Sequence, residues 1–538
     1  MTNVEEISVS KIIGQSVKPR ALLFSAGMVV LSALLLFCLL LRIMNYEARK
    51  DEQLYVPPIR LLDQYQLYTD FFYNHPPGSA WLFYGIGKIV GSDHLLLTGR
   101  VSMFLAWLLL VAVIGWITYA LTRSALVAWC AAVLTVTNEL FLSQTGMTAT
   151  NNLLPLPFSL LGIGLFVLAI KDGRALPLAV GAAGFCLSIA ASFKISAVAF
   201  IPPVAIAAFF LPHGYDFRQR LLRVVLPLAL GGLLGGLPIL VPLVSDPQVF
   251  LTHVLGYHTG PHLQYWQDPA VESEGASVSW AAKLLLAQSV WLSATVAVAI
   301  SAVLMLFLAW LLAPAGNARL PVAPLLVVAG ALVCSVALSL IPTPSFPQYF
   351  GPPLICLPLA LALLYAGLGH ETRRHMQPGL VAATIVVLAV AAPRLAQYLP
   401  TVAHPERWTA LRVHEAGETV AERLAASGVS GKVATLSPIY PLEGGLAVYQ
   451  ELATGPFAYR IADIADPKLA AFYKMTSPTT IGALFEADPP AALLLGFDEV
   501  LERPMLAYAQ RNGYVVSSDL GIKDRYGSPV LYVRPQAD

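Results

Sequence analysis

The chain has 538 residues, 57% of them hydrophobic and 12% charged, with a formal net charge of +1. A soluble domain carries about 25% charged residues, so a soluble protein is excluded, and a near-neutral balance offers nucleic acid no basic face. All five cysteines (Cys38, Cys130, Cys186, Cys334 and Cys356) lie in apolar runs, which argues against both a disulfide framework and a thiolate zinc site.

The chain opens with about 20 polar residues, and no small-residue cleavage site clearly ends the first apolar run, so that run reads as a retained span. Runs of about 20 apolar residues recur from residue 21 to residue 397, the length that crosses a hydrocarbon core about 30 Å thick. About eleven spans are predicted: 21–43, 95–122, 125–142, 151–170, 175–193, 195–212, 220–244, 283–313, 320–341, 348–368 and 377–397. Lys11, Lys18 and Arg20 precede the first span. Arg123, Lys171, Arg174, Arg218, Arg220, Arg223, Arg319, Arg373 and Arg374 fall in every second loop after it. Lysine and arginine in short loops mark the cytoplasmic side. Loops 44–94 and 245–282, and everything after residue 397, then face outward. Arg42, Arg49, Lys50 and Arg60 oppose the rule, an outer basic cluster that suits an anionic ligand.

The first outer loop holds the adjacent acids Asp51-Glu52, with Tyr55 three residues on. A loop acid pair can simply be solvated. Here it follows a span closely, between basic residues and tyrosines, where a carboxylate can take a proton from an acceptor hydroxyl. Adjacent residues need not face the same way, so only one of the two need act. His75-Pro76-Pro77 stiffens the entry to Ser79–Val90. That segment is apolar but too short to span, and suits an interfacial or re-entrant helix with Trp81 and Tyr84 at headgroup level.

Lys194 stands between two apolar runs at the outer end. An ionisable residue there is a functional hypothesis by default, against the plainer reading of a side chain snorkelling to the interface. As a compact point charge it could hold a lipid-linked phosphate. Loop 245–282 carries His253, His258 and His262 at spacings too loose for a familiar metal motif, which favours packing or phosphate contact. The outer loop 342–350 is proline-punctuated and carries Gln348 and Tyr349.

Composition changes near residue 405. A helix is predicted over 407–427, with strands at 432–436, 491–496, 514–517 and 530–534 and a helix near 497–512. Such alternation implies a small soluble α/β domain at 405–538, behind a membrane domain at 1–404.

The run DEQLY (51–55), HPPGSAWLF (75–83) and the stretch from GRVSMFLAW to NNLLPLPFSLL (99–161) resembles the C-type glycosyltransferases, which use polyprenyl-phosphate sugars. Protein O-mannosyltransferases and lipid A aminoarabinose transferases are members. The family pattern is an Asp-Glu after the first span, a Lys/His-Pro-Pro before a juxtamembrane helix, a later Lys, and a Tyr in a proline-rich outer loop. Asp51-Glu52, His75-Pro76-Pro77, Lys194 and Tyr349 fall in that order over about residues 20–400. One departure is clear: members often carry a second acid where this chain reads Thr150-Asn151-Asn152.

The resemblance implies an α-helical polytopic membrane enzyme with periplasmic juxtamembrane helices. It would sit in the inner (plasma) membrane, with the active face and the C-terminal domain periplasmic. It would transfer a sugar from a polyprenyl-phosphate donor to a glycolipid, polysaccharide or protein acceptor, with inversion. Asp51 would be the base and Glu52 its neighbour in orientation or acceptor binding. Arg60, His75, Asn151, Asn152, Lys194 and Tyr349 would bind substrate, and neither cofactor nor metal is expected. A transporter or lipid flippase of cell-envelope glycans is the alternative. It calls for charges near the bilayer midplane and repeat symmetry, and the sequence shows neither. An anchored assembly protein would not need eleven spans.

Overall fold

The computed structural model describes residues 19–171, 173–268, 271, 277–313, 319–517 and 520–536. Lys11 and Lys18, used above for orientation, lie outside the described residues. Among the described residues, seven helices are long and apolar enough to cross a membrane: Ser25–Asn45, Leu95–Thr122, Phe217–Ser245, Ala294–Leu311, Val322–Leu340, Pro347–Gly367 and His370–Ala396. Four shorter apolar helices, Ala125–Val136, Pro155–Ile170, Pro177–Phe193 and Ile195–Phe210, stand where further spans were predicted. The chain is a multi-pass membrane protein.

Small residues let these helices approach closely, which is how helices associate where no hydrophobic force favours one apolar partner over lipid. Pro177–Phe193 packs on Leu226–Ser245 backbone to backbone: a Cβ at Gly231 would overlap the Gly181 carbonyl, and one at Gly235 the Phe185 carbonyl.

The predicted span 283–313 is two helices, Trp280–Trp291 and Ala294–Leu311, parted at Leu292 and Ser293. The first of the two carries Lys283. Its buried ammonium donates to the Leu340 and Ile341 carbonyls (both 3.2 Å) and to Thr343 Oγ1 (2.7 Å). It thereby satisfies acceptors left over at the end of Val322–Leu340.

The first outer loop forms two short turns, Glu52–Tyr55 and Pro58–Leu61, then the 13-residue helix Gly78–Val90. Trp81, Ile89 and Val90 on that helix are exposed, as an interfacial helix requires. Its first residue, Gly78, abuts the Ser192 carbonyl, which leaves no room for a side chain.

The C-terminal segment contains the helix Thr409–Ala426 and four strands: β1 (Val433–Ala434), β2 (Ala492–Leu495), β3 (Val515–Val516) and β4 (Val530–Val533). They form one sheet in the order β1-β2-β4-β3, with β1 parallel to β2 and the other pairs antiparallel. The helix Glu499–Arg511 follows β2.

This segment is bolted to the membrane part. Buried Glu443 accepts from the backbone N–H groups of Leu95 (2.9 Å) and Leu96 (2.7 Å), the free donors at the start of helix Leu95–Thr122. Lys50 pairs with Asp498 at 2.7 Å, and Gln53 accepts from the Ile439 N–H at 3.0 Å.

Candidate active site

The first outer loop, loop 245–268, loop 341–352 and the C-terminal segment converge on a cavity of about 670 Å³. That is ample for a sugar and its phosphate, in the range of small-molecule sites. Leu338 and Ile341 give it an apolar wall, while Lys194, Asn151 and Asn152 line a polar one.

The adjacent acids take opposite roles. Asp51 starts the turn Glu52–Tyr55 without capping it, and its carboxylate has no hydrogen-bond partner among the described residues. It lines the cavity. Burial raises its pKa above the ordinary carboxylate value; Arg460, Lys194 and Arg49 pull it back, and Glu52 adds to the rise.

Glu52 faces the other way and is fully buried. Its two oxygens meet Arg100 Nε at 2.6 Å and Nη2 at 2.8 Å, and they also accept from the N–H groups of Ala149 (2.7 Å) and Arg49 (3.1 Å). A helix turn of successive residues cannot point both side chains one way. Glu52 therefore does not line the cavity, and acceptor binding falls away from the roles expected of it. What it does is fix the loop on which Asp51 stands.

Lys194 follows the last residue of helix Pro177–Phe193. It is buried, donates to Asn152 Oδ1 at 2.7 Å and lies 4.8 Å from the centre of the Tyr349 ring. It points into the cavity and does not snorkel outward. Its partner is a neutral amide, so the ammonium charge is not cancelled by an adjacent acid. Asn152 also donates to Thr150 Oγ1 (3.0 Å), and Asn151 donates to the Phe193 carbonyl (3.1 Å).

His75 lines the cavity, stacked on Tyr55 with ring centres 5.2 Å apart. Burial, then His258 and Lys194, press its pKa well below the ordinary value. An imidazole with a lowered pKa is better suited to hydrogen bonding than to a standing positive charge. Arg60 is a correction of another kind: it is exposed, pairs with Asp93 at 3.4 Å and does not reach the cavity.

The outer basic cluster divides similarly. Arg42 donates to the Leu142 and Arg394 carbonyls and to Gln397, all within the protein. Of the four cations in that cluster, Arg49 and Lys50 line the cavity, and Lys50 is already paired with Asp498.

His253 sits apart from the cavity among Tyr68, Phe72 and Tyr473, with Nδ1 on the Val249 carbonyl. His258 Nε2 bonds the Asn74 carbonyl at 2.9 Å, and its ring centre lies 5.4 Å from that of His75. Both are engaged by the backbone of their surroundings.

The contributors to the cavity from the C-terminal segment carry no sequence signal, Arg460, Asp498 and Tyr526 among them. Arg460 is the most consequential: of the cations that draw the Asp51 pKa back down against burial, it acts most strongly. Only folding brings it there, across some 400 residues of chain. Trp266 and Tyr265, whose loop the sequence did single out, supply aromatic wall.

The fold as a whole has solved counterparts. The particular likeness is to ArnT from Cupriavidus metallidurans, solved in the apo state (TM-score 0.60) and bound to undecaprenyl phosphate (TM-score 0.59). At 14% identity each match covers 96% of this chain, and 100% and 99% of the ArnT chain respectively; the likeness is one of fold. No protein-family model and no curated protein matches the sequence.

Proposed function

We propose that the protein is an integral membrane glycosyltransferase that takes a sugar from a polyprenyl-phosphate donor. The acceptor is a hydroxyl on the non-cytoplasmic side, in the inner membrane of an envelope with a periplasm. Asp51 removes the acceptor proton as that oxygen attacks the anomeric carbon. The bond from that carbon to the phosphate oxygen breaks, configuration inverts, and polyprenyl phosphate leaves. Lys194 faces the phosphate and offsets the charge that develops on it.

One observation carries this reading: of two adjacent acids, only Asp51 stands unbonded in a cavity that also holds Lys194. A carboxylate with a raised pKa is a stronger base, nearer the pH at which it must work. The Leu338–Ile341 wall suits a prenyl chain, and solved ArnT bound to undecaprenyl phosphate supports that donor class. Asn151 and Asn152 can bond sugar hydroxyls but cannot act as a second base, so the proposal uses a single acid.

The test is transfer by the purified protein in nanodiscs, offered a panel of polyprenyl-phosphate sugars and envelope extracts as acceptors, with mass spectrometry of the products. Release of polyprenyl phosphate coupled to a glycosylated product supports the reading. Failure of every donor with folded protein would sink it.

A further inference from the structure

The wall of the cavity opposite the membrane helices is built by Pro456, Phe457 and Arg460 of the C-terminal segment. The guanidinium of Arg460 lies 5.0 Å from the ring centre of Phe457, 5.2 Å from that of Trp266 and 5.4 Å from that of Tyr265. Aromatic faces attract a cation and hold it in place. Tyr257 donates to the Phe457 carbonyl at 3.0 Å and so fixes the backbone of that ring beneath the guanidinium. The Arg460 Nε is buried with no partner.

Among the described residues no carboxylate lies within ion-pairing distance of Arg460. A cation fixed on aromatic rings and left without an anion has its field to spend on whatever faces it. Asp51 does. The other charged and titratable groups facing Asp51 are Lys194 from the membrane helices and Glu52, Arg49 and Tyr55 from its own loop, with Tyr349 and Tyr526 beyond. His75, His258 and His262 share the cavity, each with its pKa pressed down by burial, and Lys50 pairs with Asp498.

We infer that Arg460 is a positioning residue for Asp51, holding its carboxylate ionised across the cavity and so making the C-terminal segment part of the active site. This rests on the function proposed above. Lys194 cannot fill the role during reaction, because a bound donor phosphate takes up its charge. Arg460 is then the principal cation left to support the base. No ion pair joins Arg460 to Asp51, so the space between them stays open for the acceptor.

The experiment has two arms. In the first, the pH profile of transfer is measured for wild type, Arg460→Gln and Arg460→Lys. Loss of the charge moves the acid limb upward by about one unit, a tenfold loss of rate at a fixed pH on that limb, and lysine restores it. In the second, thermal unfolding is followed between about pH 5 and 8 for wild type, Arg460→Gln, Asp51→Asn and the double variant. A carboxylate whose pKa is raised by folding contributes stability that is lost as pH rises through the folded value. Arg460→Gln raises that pKa further, so stability falls more steeply with pH, and Asp51→Asn removes the difference.

An unmoved acid limb, lysine and glutamine variants that behave alike, or a pH effect that survives Asp51→Asn would each overturn the inference. Should Arg460→Gln fail to fold, Arg460→Met keeps the contact with the aromatic rings and loses only the charge. If no transfer is found in wild type, the proposed function fails, while the unfolding arm still decides whether Arg460 acts on Asp51.

Discussion

Glu52→Gln should damage the fold where Asp51→Asn does not, though the two positions are neighbours. Glu52 is fully buried against Arg100, with contacts of 2.6 and 2.8 Å. Its substitution leaves the guanidinium charged, dry and facing a neutral amide. Breaking one side of a buried pair costs about 3–5 kcal/mol. The Ala149 N–H, at 2.7 Å from the same oxygen as Arg100 Nε, loses a charged acceptor as well. Spread over the unfolding entropy of 538 residues, this lowers the thermal midpoint by about 3–4 °C. Asp51→Asn removes an unpaired buried charge with a raised pKa, so at neutral pH it should leave the midpoint unchanged or raise it. Thermal unfolding of both variants in the same detergent, with wild type beside them, reads the contrast. Equal midpoints for the two variants, or an Asp51→Asn protein less stable than Glu52→Gln, would refute the division of roles between the two acids.

Lys194→Ala should weaken donor use about tenfold to a hundredfold, the worth of a charge-assisted contact at about 1.5–3 kcal/mol, and Lys194→Arg should lose less. Asn152→Asp should mimic the alanine variant by cancelling the ammonium it touches; donor affinity measured by competition checks both, and unchanged affinity would make Lys194 a purely structural residue. Reporter fusions after residues 60, 172, 372 and 450 should read outside, inside, inside and outside. A cytoplasmic signal at 450 would separate the C-terminal segment from the proposed outer active face.

Hydropathy made the membrane helices legible, because a bilayer imposes one length and one composition on any span. It could not show the break at Leu292 and Ser293, since those residues lie within a run that remains apolar on average, nor the partners of Lys283, whose carbonyls lie some 60 residues away. The strands were legible for a similar reason: β2 and β4 are short apolar runs between turns. At the site, the acid pair was visible, but not which acid lines the cavity. That depends on Arg100 and Ala149, 48 and 97 residues from Glu52.

Arg60 drew notice as one of the basic residues opposing the positive-inside rule, but its charge is met by Asp93 and not by the cavity. His75 was visible as a motif, while the lowering of its pKa follows from burial, then from His258 and Lys194, which no local pattern encodes. Arg460 had no signal at all. It sits in an irregular stretch between β1 and β2, and its meaning comes entirely from Tyr265, Trp266 and Phe457 around it.

The account rests on Asp51 as the base, and the most direct measurement is single-turnover transfer by Asp51→Asn in nanodiscs with donor saturating. Asparagine matches the side chain in size and can still hydrogen-bond, but it cannot accept the acceptor's proton. General-base assistance is worth about 10²–10⁴-fold, so the transfer rate should fall by that factor while donor affinity holds, placing the loss in turnover. Transfer at the wild-type rate by Asp51→Asn, with inactivation instead by changes at Asn151 or Asn152, would contradict the account and move the catalytic centre out of the first outer loop.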